Sequence, residues 1–387
     1  MPVLNRVAEM QDEIAGWRRT LHQQPELDFA VYKTAEFVQQ KLAEFGVDEI
    51  ATGIGRTGVV GIIKGSKGAG ATIGLRADMD ALPMQEITGK AYQSQTPGVA
   101  HACGHDGHTA MLLGAAKYLA ETRNFAGSVA VIFQPAEEGG GGGREMVQDG
   151  MMDRFGIDRV FGMHNLPNLP VGKFAIKPGA IMAATAEFTI VVKGRGGHAA
   201  MPHTTIDPIS IGTQLVTALQ SIVSRNANPV ESLVVTVTKF HAGDAYNVIP
   251  NRADIAGTVR ALKQDLAVLA EKRMKEICNG LAVAHGIEIE LDYDANYPVT
   301  MNDPVEAVFA GAVAADVAGA ANVDLEAPPL MAGEDFSYML EARPGAFIFL
   351  GNGGSAPLHH PAYDFDDTAI AHGVSYWIRI AETALAT

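Results

Sequence analysis

Four short runs of this chain are apolar almost throughout: VVGIIKG from Val59, ATIGLRA from Ala71, SVAVIFQ from Ser128 and RVFGMH from Arg159. A strand with one wet face alternates polar and apolar residues, so runs like these must be covered on both sides. Segments with helical spacing, 34–45 and 109–121, lie between them. The alternation predicts an α/β unit, a sheet with helices packed on its faces.

The rhythm changes near Thr185. TAEFTIVVK alternates like a strand, and Asp207-Pro208 then reads as an N-cap followed by proline at the first helical position. That helix should run to about Arg225. SLVVTVTKF and RADIAGTVRAL read as strands, 263–285 as a helix and IEIELDY as a last strand. The order is βαββαβ, a complete ferredoxin-like α+β unit. After Tyr297 the first pattern resumes, with a helix through VEAVFAGAVAADVA, a strand at AFIFLGN and a closing helix from about Asp367. At 387 residues the chain is too long for one ordinary core. The expected architecture is a discontinuous domain, 1–183 and 296–387, interrupted by an inserted domain at 184–295.

Composition narrows the function classes. A formal net charge of −15 with no basic run argues against a nucleic-acid partner. No apolar run reaches the ~18 residues needed to span a bilayer. The N-terminal stretch carries Leu4, Val7, Ile14, Trp17 and Leu21 at helical spacing among charges, an amphipathic helix and not an export signal. Two cysteines make no disulfide framework, so the expected compartment is the cytoplasm.

The chemistry gathers at strand ends. HACGHDGHTAMLLGAA places Cys103 and His105 on a turn ahead of an apolar helix, and thiolate with imidazole is a pairing suited to zinc and similar ions. The alternative is a polar helix start, with Asp106 as cap and the histidines solvated. FQPAEEGGGGG sets Glu137 and Glu138 just past an apolar strand, where ligand sites of open α/β sheets form. Neighbouring residues point apart, so one carboxylate can ligate while the other handles a proton. The glycine run is no phosphate loop, because no Gly-Lys-Ser/Thr follows. His164 in FGMHNLP and the pair His359-His360 in PLHHPAYDF also follow apolar strands. In the inserted region, GRGGHAAMPH carries His198 between small residues and YNVIPN carries Asn247.

These motifs, in this order, with GTVR, MAGEDFSYM, WRRTLHQQPEL and GLRADMDALP, resemble the hippurate hydrolase and indoleacetyl-amino-acid hydrolase family, within peptidase family M20 and the aminoacylase superfamily of dinuclear metallohydrolases. The resemblance implies a metallohydrolase catalytic domain with a mixed sheet, and an inserted lid or dimerisation domain. It implies two divalent ions per subunit (zinc, manganese, cobalt or nickel), bridged by the Cys103 thiolate. Glu138 and His359 would complete one ion's ligands, and His105 and His164 the other's. His360 is the weaker candidate for the ligand that His359 supplies. Glu137 would be the general acid/base and Asp80 a carboxylate orienting the site. His198 would steady the oxyanion, worth roughly 3–4 kcal/mol, from its own chain or a partner subunit, and Asn247 would contact substrate.

The implied reaction is hydrolysis of an N-acyl amino acid to a carboxylic acid and an amino acid. Hydroxide held between the ions attacks the amide, and Glu137 relays the proton. A dipeptidase or an N-acetyl-amino-acid deacetylase would use the same centre. A small-molecule substrate and a homodimer or higher homo-oligomer through the inserted domain are the implied partners. Ala30 and Arg144 depart from the family's usual acidic and small residues, which bears on substrate preference.

Two rival readings are weaker on the residues. GIGRTG satisfies the dinucleotide fingerprint in letters, but a β-branched run follows where a helix is required, so its glycines should shape a hairpin. A cysteine hydrolase built on Cys103 and His105 lacks a third orienting group.

Overall fold

The computed structural model describes residues 4–386, which fall into two compact units. The larger comprises Met1–Ile181, Met301–Pro328 and Asp335–Thr387, and the smaller Met182–Thr300 and Pro329–Glu334.

In the larger unit the chain runs α1 (Asn5–Gln23), α2 (Tyr32–Glu44), β1 (Glu49–Ile54), β2 (Gly58–Lys64), β3 (Thr72–Asp78), α3 (His105–Thr122), β4 (Ser128–Gln134), α4 (Gly142–Gln148) and β5 (Ile157–Leu166). It closes with α5 (Pro304–Ala318), β6 (Gly345–Gly351) and α6 (Ile370–Ala384). The sheet order is β1-β2-β4-β3-β5-β6, extended at one edge by two-residue strands at Phe174–Ala175 and Val323–Asp324. β4, β3, β5 and β6 are mutually parallel, whereas β2 runs antiparallel to both of its neighbours, β4 and β1. The sheet is thus mixed and helix-covered, as the apolar runs predict. Its core unites Val59, Leu75, Val131, Phe161 and Ile348 with Ile14, Leu112 and Trp377 from the helices. Each such side chain contributes roughly 1.5–3 kcal/mol on burial.

Two local expectations meet the structure directly. GIGRTG is the β1–β2 hairpin, with Ile54 opposite Gly58 and positive φ at Gly53 and Gly55, so no helix follows the glycines. The helix expected from Thr109 starts four residues earlier, at His105. Its N-cap is Gly104, in the left-handed region at φ 88°. A Cβ there would lie 2.4 Å from Asn165 Nδ2 and 2.4 Å from Tyr363 Oη, so only glycine fits. Residues 105–116 are all buried. The apolar run after the histidines lines the first turns of a helix that has no wet face until Lys117, held between α1, α6 and β3.

In the smaller unit, strands Ala184–Lys193, Leu233–His241, Arg252–Ala261 and Glu288–Tyr297 form an antiparallel sheet. The order places Leu233–His241 at one edge, then Arg252–Ala261, Ala184–Lys193 and Glu288–Tyr297. Helices Pro208–Ser221 and Gln264–His285 share a core with it through Leu215, Ile255, Ala270 and Cys278. Asp207 caps the first helix by accepting from Ile209 N–H at 2.9 Å. The helix widens into a π turn at Ile222–Asn226 before it ends. This is the ferredoxin-like order read from the sequence. No helix among the described residues is long and apolar enough to cross a membrane.

A buried ion pair ties α1 to the start of α3. His22 Nδ1 lies 2.8 Å from Asp106 Oδ2, and its Nε2 lies 3.3 Å from Glu86 Oε2. Burial opposes the imidazolium, but Asp106 and Glu86 together outweigh it and His22 is pushed up to about 9. A raised folded-state pKa gives stability that is complete below about pH 6.5 and lost as pH rises through about 9. Thermal midpoints of the wild type should therefore fall more steeply across that window than those of His22→Gln. Parallel curves would exclude the charged pair.

Candidate metal centre

The parallel strands deliver their carboxyl ends to one side of the sheet, and the chemistry-bearing residues leave from those ends. Asp78 closes β3, Glu137 and Glu138 follow β4, and His164 lies near the end of β5, opposite Phe349 of β6. Cys103 and His105 meet them from the start of α3, and His359 from the loop after β6. Ligand sites in open α/β sheets form at this edge.

Asp80 organises the centre. Its Oδ1 accepts from Glu137 N–H and its Oδ2 from Glu138 N–H, each at 3.0 Å. The chain reaches this geometry by turning through Ala136 in the left-handed region, φ 52°, at a cost of about 1–2 kcal/mol. The glycine run then folds back on the turn. Gly142 passes so close to Pro135 that a Cβ would lie 1.8 Å from the Pro135 carbonyl oxygen. The glycines serve close backbone approach, with no phosphate to hold.

Within this frame three donors converge: Cys103 Sγ, one Glu138 oxygen and a His359 ring nitrogen all lie within 4.8 Å of one another. His359 Nε2 is 3.3 Å from Glu138 Oε2. A second group, His105, Glu137 and Glu138, satisfies the same limit, with His105 Nε2 3.9 Å from each carboxylate. His164 Nε2 stands 3.4 Å from Cys103 Sγ. The five expected ligands and Glu137 are therefore neighbours. His360 is not among them: it is exposed, and its Nδ1 accepts from Ala362 N–H.

Tautomers follow from fixed acceptors. His105 Nδ1 donates to the Asp80 carbonyl at 2.9 Å and His164 Nδ1 to the Asn165 carbonyl at 2.7 Å. In their neutral forms both therefore present Nε2 lone pairs. His105 Nε2 and Glu138 Oε1 are buried with no hydrogen-bond partner, which costs free energy unless something accepts them. Burial opposes charge on His105, yet Asp78, Asp80 and Glu138 push it up to about 10. Burial, then Glu138 and Glu137, drive the Cys103 thiol well above its usual range. The pocket carries surplus negative charge and unused soft and imidazole donors, a set that fits divalent cations.

Four contributors escaped the sequence reading. His108, with Asp78, His105 and His164, makes another compact group of metal-type donors. Its Nδ1 is held by Asp78 Oδ1 at 2.7 Å and its Nε2 by Asn165 N–H at 2.9 Å, so both ring nitrogens are in use. Asp78 Oδ2 accepts from Arg76, whose guanidinium also bonds Gln134 and Asp335. Asn165 bonds the Cys103 carbonyl. No periodicity marks any of them, since apart from the Arg76–Asp78 bond their partners are far away in sequence. The reading of solvated histidines with Asp106 as helix cap is overturned: His101, His105 and His108 are 2%, 0% and 1% exposed, and Asp106 pairs with His22. His198 and Asn247 lie together in the smaller unit, where His198 pairs with Val248 across a two-residue ladder and Ala199 N–H bonds the Asn247 carbonyl.

Comparison with known proteins places this geometry. The profile of Peptidase family M20/M25/M40 matches residues 74–383. A hippurate hydrolase from Campylobacter jejuni is 45% identical over 98% of this chain and 99% of its own length. An N-acetyl-L-cysteine deacetylase from Bacillus subtilis is 41% identical over 94% of this chain and 86% of its own. The crystal structure of a dinuclear metal-binding peptidase of the M20 family from Bacillus subtilis, 34% identical, superposes with a TM-score of 0.85 over 98% of this chain and 99% of that one. The chain belongs to peptidase family M20/M25/M40.

Proposed function

We propose that the chain is a metal-dependent amidohydrolase that cleaves N-acyl amino acids into a carboxylic acid and an amino acid. The observation that carries the reading is Asp80 gripping the backbone of two consecutive glutamates. That grip lets Glu138 share a pocket with Cys103 and His359 while Glu137 faces His105. Cys103, Glu138, His359, His105 and His164 are the residues that would hold two divalent ions. Bound there, two divalent ions would supply Lewis acidity and a water acidified toward neutrality.

The protein's own residues do the rest. Glu137 takes the proton of the attacking water and returns it to the departing amine, a role worth about 10²–10⁴ in rate. Asp80 holds that carboxylate's backbone and, through its carbonyl, the His105 tautomer. His198 and Asn247 carry their proposed roles, oxyanion donor and substrate contact, from the family resemblance alone, as does assembly through the inserted unit. The ions are proposed as zinc, manganese, cobalt or nickel, since thiolate and imidazole disfavour magnesium. Two unpaired cysteines fit a reducing, cytoplasmic setting.

Hippurate-type acyl groups lead because one relative is a hippurate hydrolase. Deacetylation is the second reading, favoured by the acetylcysteine deacetylase. Benzoyl, indoleacetyl, acetyl and longer acyl amino acids, assayed with and without chelator, decide between them. A chain hydrolysing none of these, or hydrolysing them undiminished without metal, would end the proposal.

Glu137→Gln should keep the wild-type metal content and lose about 10²–10⁴-fold in kcat. Normal turnover in the metal-loaded variant would remove Glu137 from the role. Cys103→Ala should retain less than the full metal complement by elemental analysis. Iodoacetamide should act slowly on the wild type, because Cys103 is buried, its thiol is held protonated without metal, and bound ions would occupy its sulfur. A thiol enzyme would show the reverse, chelator resistance with rapid alkylation.

A further inference from the structure

Asn165 follows His164 on β5 and is 0% exposed. Its side-chain Nδ2 donates to the Cys103 carbonyl at 2.6 Å, and its Oδ1 accepts from Tyr363 Oη at 2.8 Å. Its backbone carbonyl accepts from His164 Nδ1 at 2.7 Å, and its backbone N–H donates to His108 Nε2 at 2.9 Å. One residue thus touches the segment bearing Cys103, the ring of His164 and, through Tyr363, the loop bearing His359. The amide orientation is fixed, since a backbone carbonyl can only accept. Neighbouring space is full: a Cβ on Gly104 would strike both Asn165 Nδ2 and Tyr363 Oη.

We infer that Asn165 is a positioning residue that sets the spacing between Cys103 and His164, by fastening the Cys103 backbone to the residue that orients the His164 ring. The inference rests on the proposal that these two side chains ligate metal. An amide is required because the position must donate to Cys103 and accept from Tyr363 at once. A carboxylate offers the acceptor alone and would set an oxygen against the Cys103 carbonyl oxygen. An aliphatic residue of any size offers neither. Groups that orient metal ligands in this way typically alter metal affinity by about 10–100-fold when removed.

The test uses the full chain, stripped of metal and titrated with Co²⁺. It reads bound cobalt, the thiolate-to-cobalt charge-transfer absorption and the melting midpoint of the metal-free protein. Asn165→Asp, nearly equal in shape, and Asn165→Ala should weaken cobalt binding about 10–100-fold and diminish the thiolate band. Tyr363→Phe keeps the amide's bond to Cys103 and should retain both. A wild-type band and affinity in Asn165→Asp would overturn the inference, whatever happens to the melting midpoint. The same holds if Tyr363→Phe loses as much as the Asn165 variants, because the effect would then belong to the hydroxyl. Should Asn165→Ala fail to fold, Asn165→Asp carries the test. A wild-type chain with no thiolate band would instead remove the metal reading, and this inference with it.

Discussion

Asp80 is 1% exposed, and both of its oxygens accept backbone N–H groups of consecutive residues, Glu137 and Glu138. Hydrogen bonds to a charged acceptor contribute about 1.5–3 kcal/mol each, enough to offset the left-handed turn at Ala136. The clamp fixes the directions in which two adjacent carboxylates diverge. Burial and the nearby Glu138 charge both push the Asp80 carboxyl up, while its bonds to His105 and to the Glu138 N–H pull it down. The clamp therefore ties the protonation of Asp80 to the placement of the glutamates and to the His105 tautomer together.

Around that clamp lies a shell of buried polar groups in which charges alternate. Arg76 sits between Asp78 and Asp335, and Arg18 between Asp106 and Asp367. Burying one such charge alone would cost several kcal/mol, so each survives only because the others are fixed. Elements far apart in sequence are locked by this shell: β3 to the segment at Asp335, and α1 to α3. His359 adds a further local cost. It adopts φ 61°, a region β-carbon-bearing residues rarely enter, and such strain clusters where function requires a side chain to be aimed.

The sequence was most legible where the side chains obey a period. The four covered strands, the hairpin at GIGRTG and the βαββαβ order follow from hydrophobic spacing and glycine placement, because burial is what those patterns encode. Cys103, Glu137, Glu138, His164 and His359 could be singled out because each stands just outside such a pattern. Their convergence could be expected only from the family resemblance. Asp78, His108 and Asn165 gave no signal of their own. Asn165 bonds Cys103 across 62 positions and Tyr363 across 198, and no local spacing records a partner so distant. The start of α3 was misplaced for a related reason. Gly104 caps without a side chain, so the usual Ser, Thr, Asn or Asp marker is missing.

His105, His108 and His164 show why residue type alone could not assign the centre. All three are buried, and all three engage Nδ1 with a fixed oxygen: the Asp80 carbonyl, an Asp78 carboxylate oxygen and the Asn165 carbonyl respectively. In the neutral ring each is left with an Nε2 lone pair, and the second partner decides its use. In His108 that lone pair accepts the Asn165 N–H, which closes the ring off from any cation. His105 has no partner on Nε2, and His164 directs its Nε2 at the Cys103 sulfur. The difference between a ligand candidate and a structural histidine, three residues apart on one helix, is thus a backbone N–H from β5, backed by a side-chain amide 3.1 Å from the same nitrogen. That N–H belongs to Asn165, the residue whose side chain also holds Cys103. The sorting of the histidines and the seating of the thiol are consequences of one strand position.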